Sequence, residues 1–335
     1  MRTRYNAGIT ALGGYVPDHI LTNHALEEMV DTNSEWIVSR TGIKERRIAN
    51  DATIATSDFA VKAVERLLSS GKISAEEIEC VIVATSTPDY IMVSTASIVC
   101  EKAGLTNAWG VDSNAACSGF LYALTLGSSL IESGRYKNVI VIGADKNSAI
   151  INYEDRNTCI LFGDGAGAVL LERTTAAEGL IDNVFRTDGS GKEQLIVQAG
   201  GSLNPSSLET VTNKLNYISQ NGRVVFKAAI EGMTQTCNEV FRRNELESAD
   251  IDWLVPHQAN LRIIQSVGDN LNIPIEKVKI NIDRYGNTTA ATIPLCLWDY
   301  KEDFKEGDKV LLTAFGAGFS WGASYLVWGK LRENA

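Results

Sequence analysis

Apolar residues recur along the chain in short, nearly continuous runs separated by amphipathic stretches of helical period. The runs are CVIVAT (80–85), NVIVIGA (138–144), AVLLE (168–172), WLVP (253–256), KVLLTAF (309–315) and ASYLVWG (323–329). Several are apolar nearly throughout, as strands covered on both faces are. Between them, SDFAVKAVERLLSSG (57–71), GFLYALTLGSSLIESG (119–134) and FKAAIEGMTQTCNEVFRR (226–243) carry their apolar residues at helix spacing. This alternation predicts an α/β protein with buried mixed sheets.

The pattern repeats. SAEEIECVIVAT (74–85) and LESADIDWLVPH (246–257) each read as a polar cap, an Ile, an acidic residue and a buried strand. VDSNAACSGF (111–120) and INIDRYGNTTAA (280–291) each read as a strand, a tight turn of small residues and a helix. NVIVIGA and KVLLTAF follow, and then the glycine-rich pieces LFGDGAGAVLLE (161–172) and FGAGFSWGASYLVWG (315–329). Four matched elements in matched order predict two similar halves, 1–180 and 181–335, meeting near 175–185. Residues 185–222 have no counterpart in the first half and read as an irregular excursion.

Composition narrows the class. The 335 residues suit two domains or one duplicated unit. A 44% hydrophobic and 21% charged content is that of an ordered globular chain. A net charge of −10 argues against nucleic acid as a main partner. No window approaches the roughly 18–20 apolar residues of a membrane span. The start, MRTRYNAGITALGGYVPDHI, is too glycine-broken for a signal peptide. Six scattered cysteines (80, 100, 117, 159, 237, 296) form no CxxC pair. Reduced thiols in a cytoplasmic enzyme fit better than a disulfide framework or a zinc site.

Three residues stand out chemically. Cys117 sits among Asn114, Ala115, Ala116, Ser118 and Gly119, between a strand and a strong helix. The positive helix N-terminus favours thiolate there; the alternative is a buried structural cysteine. His257 ends the strand WLVP, where sites of α/β folds collect, although a satisfied structural histidine is also open. Asn287 lies at the turn equivalent to that of Cys117, and helix capping would explain it equally. Together the three would supply a nucleophile and two hydrogen-bond donors for a thioester carbonyl. LFGDGAGA lacks the lysine and spacing of a phosphate loop and reads as close backbone packing.

DTNSEWIVSRTGIKERRIA (31–49), NAACSGFLYAL (114–124), DRNTCILFGDGAGAVLL (155–171), WLVPHQANLRII (253–264), RYGNTTAATIP (284–294) and LLTAFGAGFSWG (311–322) resemble β-ketoacyl-acyl carrier protein synthase III. The likeness runs in order through nearly the whole chain. It implies a thiolase-like αβαβα layered fold of two similar halves with mixed five-stranded sheets, and a homodimer. It implies an acyltransferase of fatty-acid biosynthesis that condenses a short acyl-CoA, acetyl-CoA foremost, with malonyl-acyl carrier protein by decarboxylation. Under it, Cys117 is the acylated nucleophile, while His257 and Asn287 hold the malonyl thioester oxygen. The backbone N–H groups of Cys117 and Ala317 form the oxyanion hole. Thr32, Trp36, Arg40, Arg156 and Asn260 contact CoA, and Gln258, Ala259, Asn260, Leu261 and Arg262 meet the carrier protein. Neither a metal nor an organic cofactor is implied. The chain departs from the family at Met92, where relatives carry the Phe that crosses the dimer to close the acyl pocket. It departs again at Ala317, the middle of a usual glycine triplet, which a left-handed backbone would strain. Two rivals stand beside this: a related synthase of secondary metabolism acting on another acyl chain, and a non-catalytic binder of acyl-CoA or carrier protein.

Overall fold

The computed structural model describes residues 5–174 and 177–332. The first half runs β1 (Asn6–Tyr15), β2 (Ile20–Thr22), α1 (Asn23–Glu27), α2 (Ser34–Thr41), β3 (Glu45–Arg47), α3 (Thr56–Gly71), β4 (Cys80–Ala84), α4 (Thr95–Lys102), β5 (Trp109–Ser113), α5 (Gly119–Glu132), β6 (Asn138–Asp145) and β7 (Gly165–Thr174). The second runs β8 (Gly179–Thr187), β9 (Leu195–Val197), α6 (Leu208–Thr212), β10 (Ile218–Gln220), α7 (Gly222–Arg243), β11 (Trp253–Pro256), α8 (Leu261–Asn270), α9 (Ile282–Tyr285), α10 (Thr292–Asp299), β12 (Lys309–Gly316) and β13 (Ser320–Val327).

Each half builds the same mixed sheet. The first has the order β1-β7-β6-β4-β5, with β4 parallel to both β5 and β6 and β7 antiparallel to both β6 and β1. The second has the order β8-β13-β12-β11, with the same directions. The expected fifth strand of the second sheet is reduced to one bridge, Leu254 to Val278. The ladder starts with Lys279 N–H donating to Leu254 O, then ends because Gln258 Oε1 takes the Asn281 N–H instead. The chain then closes α9 where the sequence suggests a strand. Matching local devices open β4 and β11: Glu77 accepts from Ser74 N–H, and Asp250 accepts from Glu247 N–H.

Side-chain alternation sorts the layers. Cys80, Ile82 and Ala84 of β4 face inward with Val139 and Val141 of β6, onto α5 and α10 and across to β12. Val81 and Val83 face outward, onto α3 and α4. In the second sheet Leu254, Leu311 and Tyr325 face outward onto α7 and α8. The result is the expected order of layers, helices–sheet–helices–sheet–helices, with α5 and α10 in the middle.

The sequence analysis missed β1. Its glycines break the apolar pattern because packing removes side chains there. A Cβ on Gly13 would lie 2.0 Å from Ala63 O of α3, and one on Gly14 would lie 2.4 Å from the Trp298 ring of α10. The 185–222 excursion is also more regular than expected, since β8 extends to Thr187 and β9 pairs with β10. Helix α7 starts at Gly222 rather than 226, because Asn221 caps it through Val224 N–H.

Gly143 of β6 lies against the turn that precedes α10, where a Cβ would come within 2.2 Å of Ala290 O. Gly143→Ala should cost about 1–3 kcal/mol by overpacking. Gly189→Ala points into open space and should stay within about 0.5 kcal/mol of the parent. Urea-unfolding midpoints measure both.

Candidate functional site

Cys117 stands on one 3-10 turn, Ala116–Ser118, that feeds α5. Ala116 takes φ +47, a left-handed backbone at a non-glycine residue, which costs about 1–2 kcal/mol. The turn is pinned from the other half. Ser118 Oγ donates to Ser320 O at 2.8 Å, and Ser320 Oγ donates to Ala115 O at 3.1 Å. Gly316 must stay bare, since a Cβ there would lie 2.8 Å from Cys117 N. The equivalent turn of the second half repeats the strain, with Thr289 at φ +53.

Cys117 is buried, 6% exposed. Burial, and secondarily the Asp145 carboxylate, push it well above the ordinary thiol range. This direction runs against the thiolate that the α5 N-terminus favours.

His257 continues from β11, its N–H donating to Thr313 O at 2.8 Å. It is buried, and burial pushes its pKa down to about 3, so the ring is neutral at physiological pH. Its Nδ1 lies 2.7 Å from Thr292 Oγ1. Asn287 is gripped by its backbone: its N–H donates to Leu161 O and its carbonyl accepts from Gly163 N–H. Its Oδ1 accepts from Thr289 N–H at 2.9 Å. That leaves the Nδ2 protons as the free end of the amide.

Asp145, fully buried at the end of β6, went unnoticed in the sequence. Its Oδ1 accepts from Ser86 N–H and from the Thr85 and Thr87 hydroxyls, and its Oδ2 accepts from Ala290 N–H. Burial pushes this carboxyl up to about 7 in spite of those donors. Asn147 works beside it, donating to Gly163 O and accepting from Thr289 Oγ1. Both side chains fasten the Asn287 turn to the other half.

Cys117 lies where two cavities meet. One, of about 550 Å³, is lined by Cys117, His257 and Asn287 together with Trp36, Arg40 and Asn260. The other, of about 480 Å³, includes Cys117, Ala317, Phe162 and Ile150. Ala317 is absent from the left-handed residues, so its substitution for glycine is unstrained. Arg156 stacks on Trp36 at 4.3 Å and approaches Asp31 at 3.9 Å. Thr32 lines neither cavity, and its Oγ1 is buried without a hydrogen bond.

The carrier-protein segment splits. Gln258 is fully buried, donating to Pro256 O and Lys279 O and accepting from Asn281 N–H. It is corrected from a docking residue to an internal clamp. Asn260 caps α8 through Arg262 N–H and donates to Arg40 O. Leu261 packs beneath Gly42, and Ala259 lines the larger cavity. Arg262 is exposed, over the Phe226 ring at 5.4 Å. Met92 lines neither cavity; it is 95% exposed, beside exposed Tyr90, Ile91 and Val93. Sequence reasoning also missed Arg223, Phe226, Met233 and Phe315, which line the larger cavity. Phe226 and Met233 share the helical spacing of α7, and that was the one signal available.

A buried thiol, a neutral imidazole and a free amide donor on one cavity suit acyl transfer through a carbonyl. Alkylation of Cys117 by iodoacetamide should keep accelerating as pH rises through 9, because the thiol is held above its ordinary range. Mass-resolved rates at Cys117 check this, and a plateau near neutrality would show a stabilised thiolate.

Residues 111–189 match the family model described as 3-oxoacyl-[acyl-carrier-protein] synthase III, and residues 241–328 match the model of its C-terminal part. The chain is 52% identical to the β-ketoacyl-[acyl-carrier-protein] synthase III of Phocaeicola vulgatus, over 97% of this chain and 98% of that protein. It is also 52% identical to synthase III 1 of Bacteroides thetaiotaomicron, over 97% of each. The crystal structure of the Thermus thermophilus enzyme of the same name superposes with a TM-score of 0.89 at 42% identity, covering 96% of this chain and 99% of that one. With its two-half layered fold and its thiol-bearing cavity, the chain belongs to the β-ketoacyl-[acyl-carrier-protein] synthase III family.

Proposed function

We propose that the protein condenses an acyl-CoA with malonyl-acyl carrier protein, releasing CO₂ and CoA and giving the 3-oxoacyl-acyl carrier protein that initiates fatty-acid synthesis. The observation that carries this is the meeting of Cys117, His257 and Asn287 on one cavity. In this reading Cys117 takes the acyl group from CoA. Asn287 Nδ2 and the His257 ring face the malonyl thioester oxygen as CO₂ leaves. The Cys117 and Ala317 N–H groups face the acyl oxygen. The halves 1–180 and 181–335 divide the work, the first bringing the nucleophile and the second the other two groups. That β8, which begins at Gly179, pairs within the second sheet supports a division close to this point.

The approach to the cavity suits CoA. The Trp36–Arg156 stack offers a flat cationic platform, Arg40 and Asn260 line the same cavity as Trp36, and the Thr32 hydroxyl has no hydrogen bond of its own. No metal or organic cofactor enters this chemistry, because the thioesters and decarboxylation drive it. The exposed strip Tyr90–Val93 suits burial against a second copy, with Met92 reaching the partner's acyl pocket. The protein would then work as a cytoplasmic homodimer; among the described residues no helix is long and apolar enough to cross a membrane.

Acetyl-CoA is the primer proposed. Intact-mass spectrometry after mixing with acetyl-, isobutyryl- and octanoyl-CoA should show one acyl adduct, on Cys117, fastest with acetyl-CoA. A longer preferred chain would move the protein toward specialised metabolism, and no adduct would make it a binder.

Arg262→Glu should raise the KM for malonyl-acyl carrier protein by an amount worth about 1 kcal/mol and flatten its salt dependence. The carrier is acidic and this chain is itself at −10, so a local cation must steer docking. Acylation by acyl-CoA should change much less. Arg262 also lines the larger cavity, and equal losses in both steps would show that it serves that passage rather than carrier docking.

A further inference from the structure

In the proposed function the acyl oxygen rests on two backbone N–H groups from different halves, that of Cys117 ahead of α5 and that of Ala317 after β12. A backbone donor has no rotamer with which to re-aim itself. What it offers a developing oxyanion depends on how accurately the two turns are held against each other. Both residues line the smaller cavity. Among the described residues, neither N–H donates to an acceptor on another residue.

One side chain bonds both turns. Ser320 Oγ lies 3.1 Å from Ala115 O and 3.1 Å from Ala317 O, so its single proton is shared in a three-centre bond. Each acceptor sits on the peptide unit next to a donor unit. Only the Cα of Ala116 separates the Ala115 carbonyl unit from the unit that carries Cys117 N–H. Only the Cα of Ala317 separates its carbonyl unit from the unit that carries its N–H. Ala116 is the residue with the left-handed backbone, which persists where neighbours restrain it.

Ser320 is itself buried and fixed. Its carbonyl accepts from Ser118 Oγ at 2.8 Å. It opens β13 between Gly316 of β12 and Thr187 of β8, and beside it Asp188 and Phe319 exchange both backbone hydrogen bonds. Gly316 lets the turns approach this closely, because a Cβ there would lie 2.8 Å from Cys117 N and 2.9 Å from Ala115 O.

We infer that Ser320 is a positioning residue for the acyl oxygen: its hydroxyl holds the Cys117 and Ala317 N–H groups at one spacing across the two halves. This rests on Cys117 being acylated with its carbonyl oxygen on those two N–H groups. That oxygen gains charge whenever a nucleophile adds to the acyl carbonyl, in transfer from CoA and again in condensation. The malonyl oxygen has other donors in this reading, on His257 and Asn287, so loss of the Ser320 hydroxyl should spare decarboxylation.

Acetyl-CoA carrying ¹³C or ¹²C at the carbonyl loads Cys117 with a group whose stretching band infrared difference spectra isolate. Hydrogen bonds to the oxygen lower that band, and in Ser320→Ala it should rise. Single-turnover acylation at saturating acetyl-CoA should slow roughly tenfold or more, with the half-saturating concentration held within about threefold. Malonyl-acyl carrier protein decarboxylation, measured in the Cys117→Ala background, should also change less than about threefold. Ser320→Thr, which keeps the hydroxyl, should return the band and the acylation rate to those of the parent. An unmoved band, an unchanged acylation rate, a loss confined to half-saturation, an equal loss of decarboxylation or failure of the threonine variant overturns the inference. If the parent protein takes no acyl group on Cys117, the functional reading itself fails and the role of Ser320 falls with it.

Discussion

A buried carboxylate, that of Asp145, joins the two halves where they must meet most accurately. One oxygen gathers the loop after β4 through Ser86, Thr85 and Thr87, and the other holds Ala290 N–H in the turn before α10. A charge with no exposure is tolerable only when its lone pairs are filled with good geometry, so each of these donors constrains the rest. Gly143 next door carries no side chain because the Ala290 carbonyl occupies that space. From this knot the Asn287 turn inherits its position, and the depth of the knot raises both the Asp145 carboxyl and the Cys117 thiol.

The two central turns are copies put to different uses. Ala116 and Thr289 both hold left-handed backbones ahead of buried helices, and the second is β-branched, where such a φ is a marked outlier. Strain of this kind persists only where the surroundings over-determine it. Here they do: the Ser118–Ser320–Ala115 bonds hold one turn, and the Asn147–Thr289 and Asp145–Ala290 bonds hold the other. The first turn presents a thiol, and the second an amide already oriented by its own Oδ1 contact.

Much of this was legible in the residues, for physical reasons that differ by element. β4, β6, β11 and β12 announce themselves because sheets covered on both faces need continuous apolar runs. The duplication was legible because β4 and β11 reuse one capping device. β1 was hidden by Gly13 and Gly14, which packing requires and strand propensity penalises. The α9 turn was mistaken for a strand, since nothing in IDRY reveals that Gln258 has taken the Asn281 N–H. Gln258 was misplaced because the resemblance carried the whole Gln258–Arg262 stretch to the carrier protein, whereas its three internal partners show only in the fold. The state of the Cys117 thiol was invisible too, because desolvation depends on the whole molecule.

The cavity that holds Cys117, His257 and Asn287 has one further consequence, which concerns time rather than place. If both thioesters approach Cys117 through the one cavity lined by Trp36 and Asn260, they cannot be present together. CoA must vacate before the carrier's arm enters, so the catalyst alternates between two forms, bare and acyl-loaded, and never holds a ternary complex. Turnover then depends on the ratio of the two donors as much as on their amounts. An excess of either crowds the form meant for the other, and a flux sensor is built into the shape of a corridor.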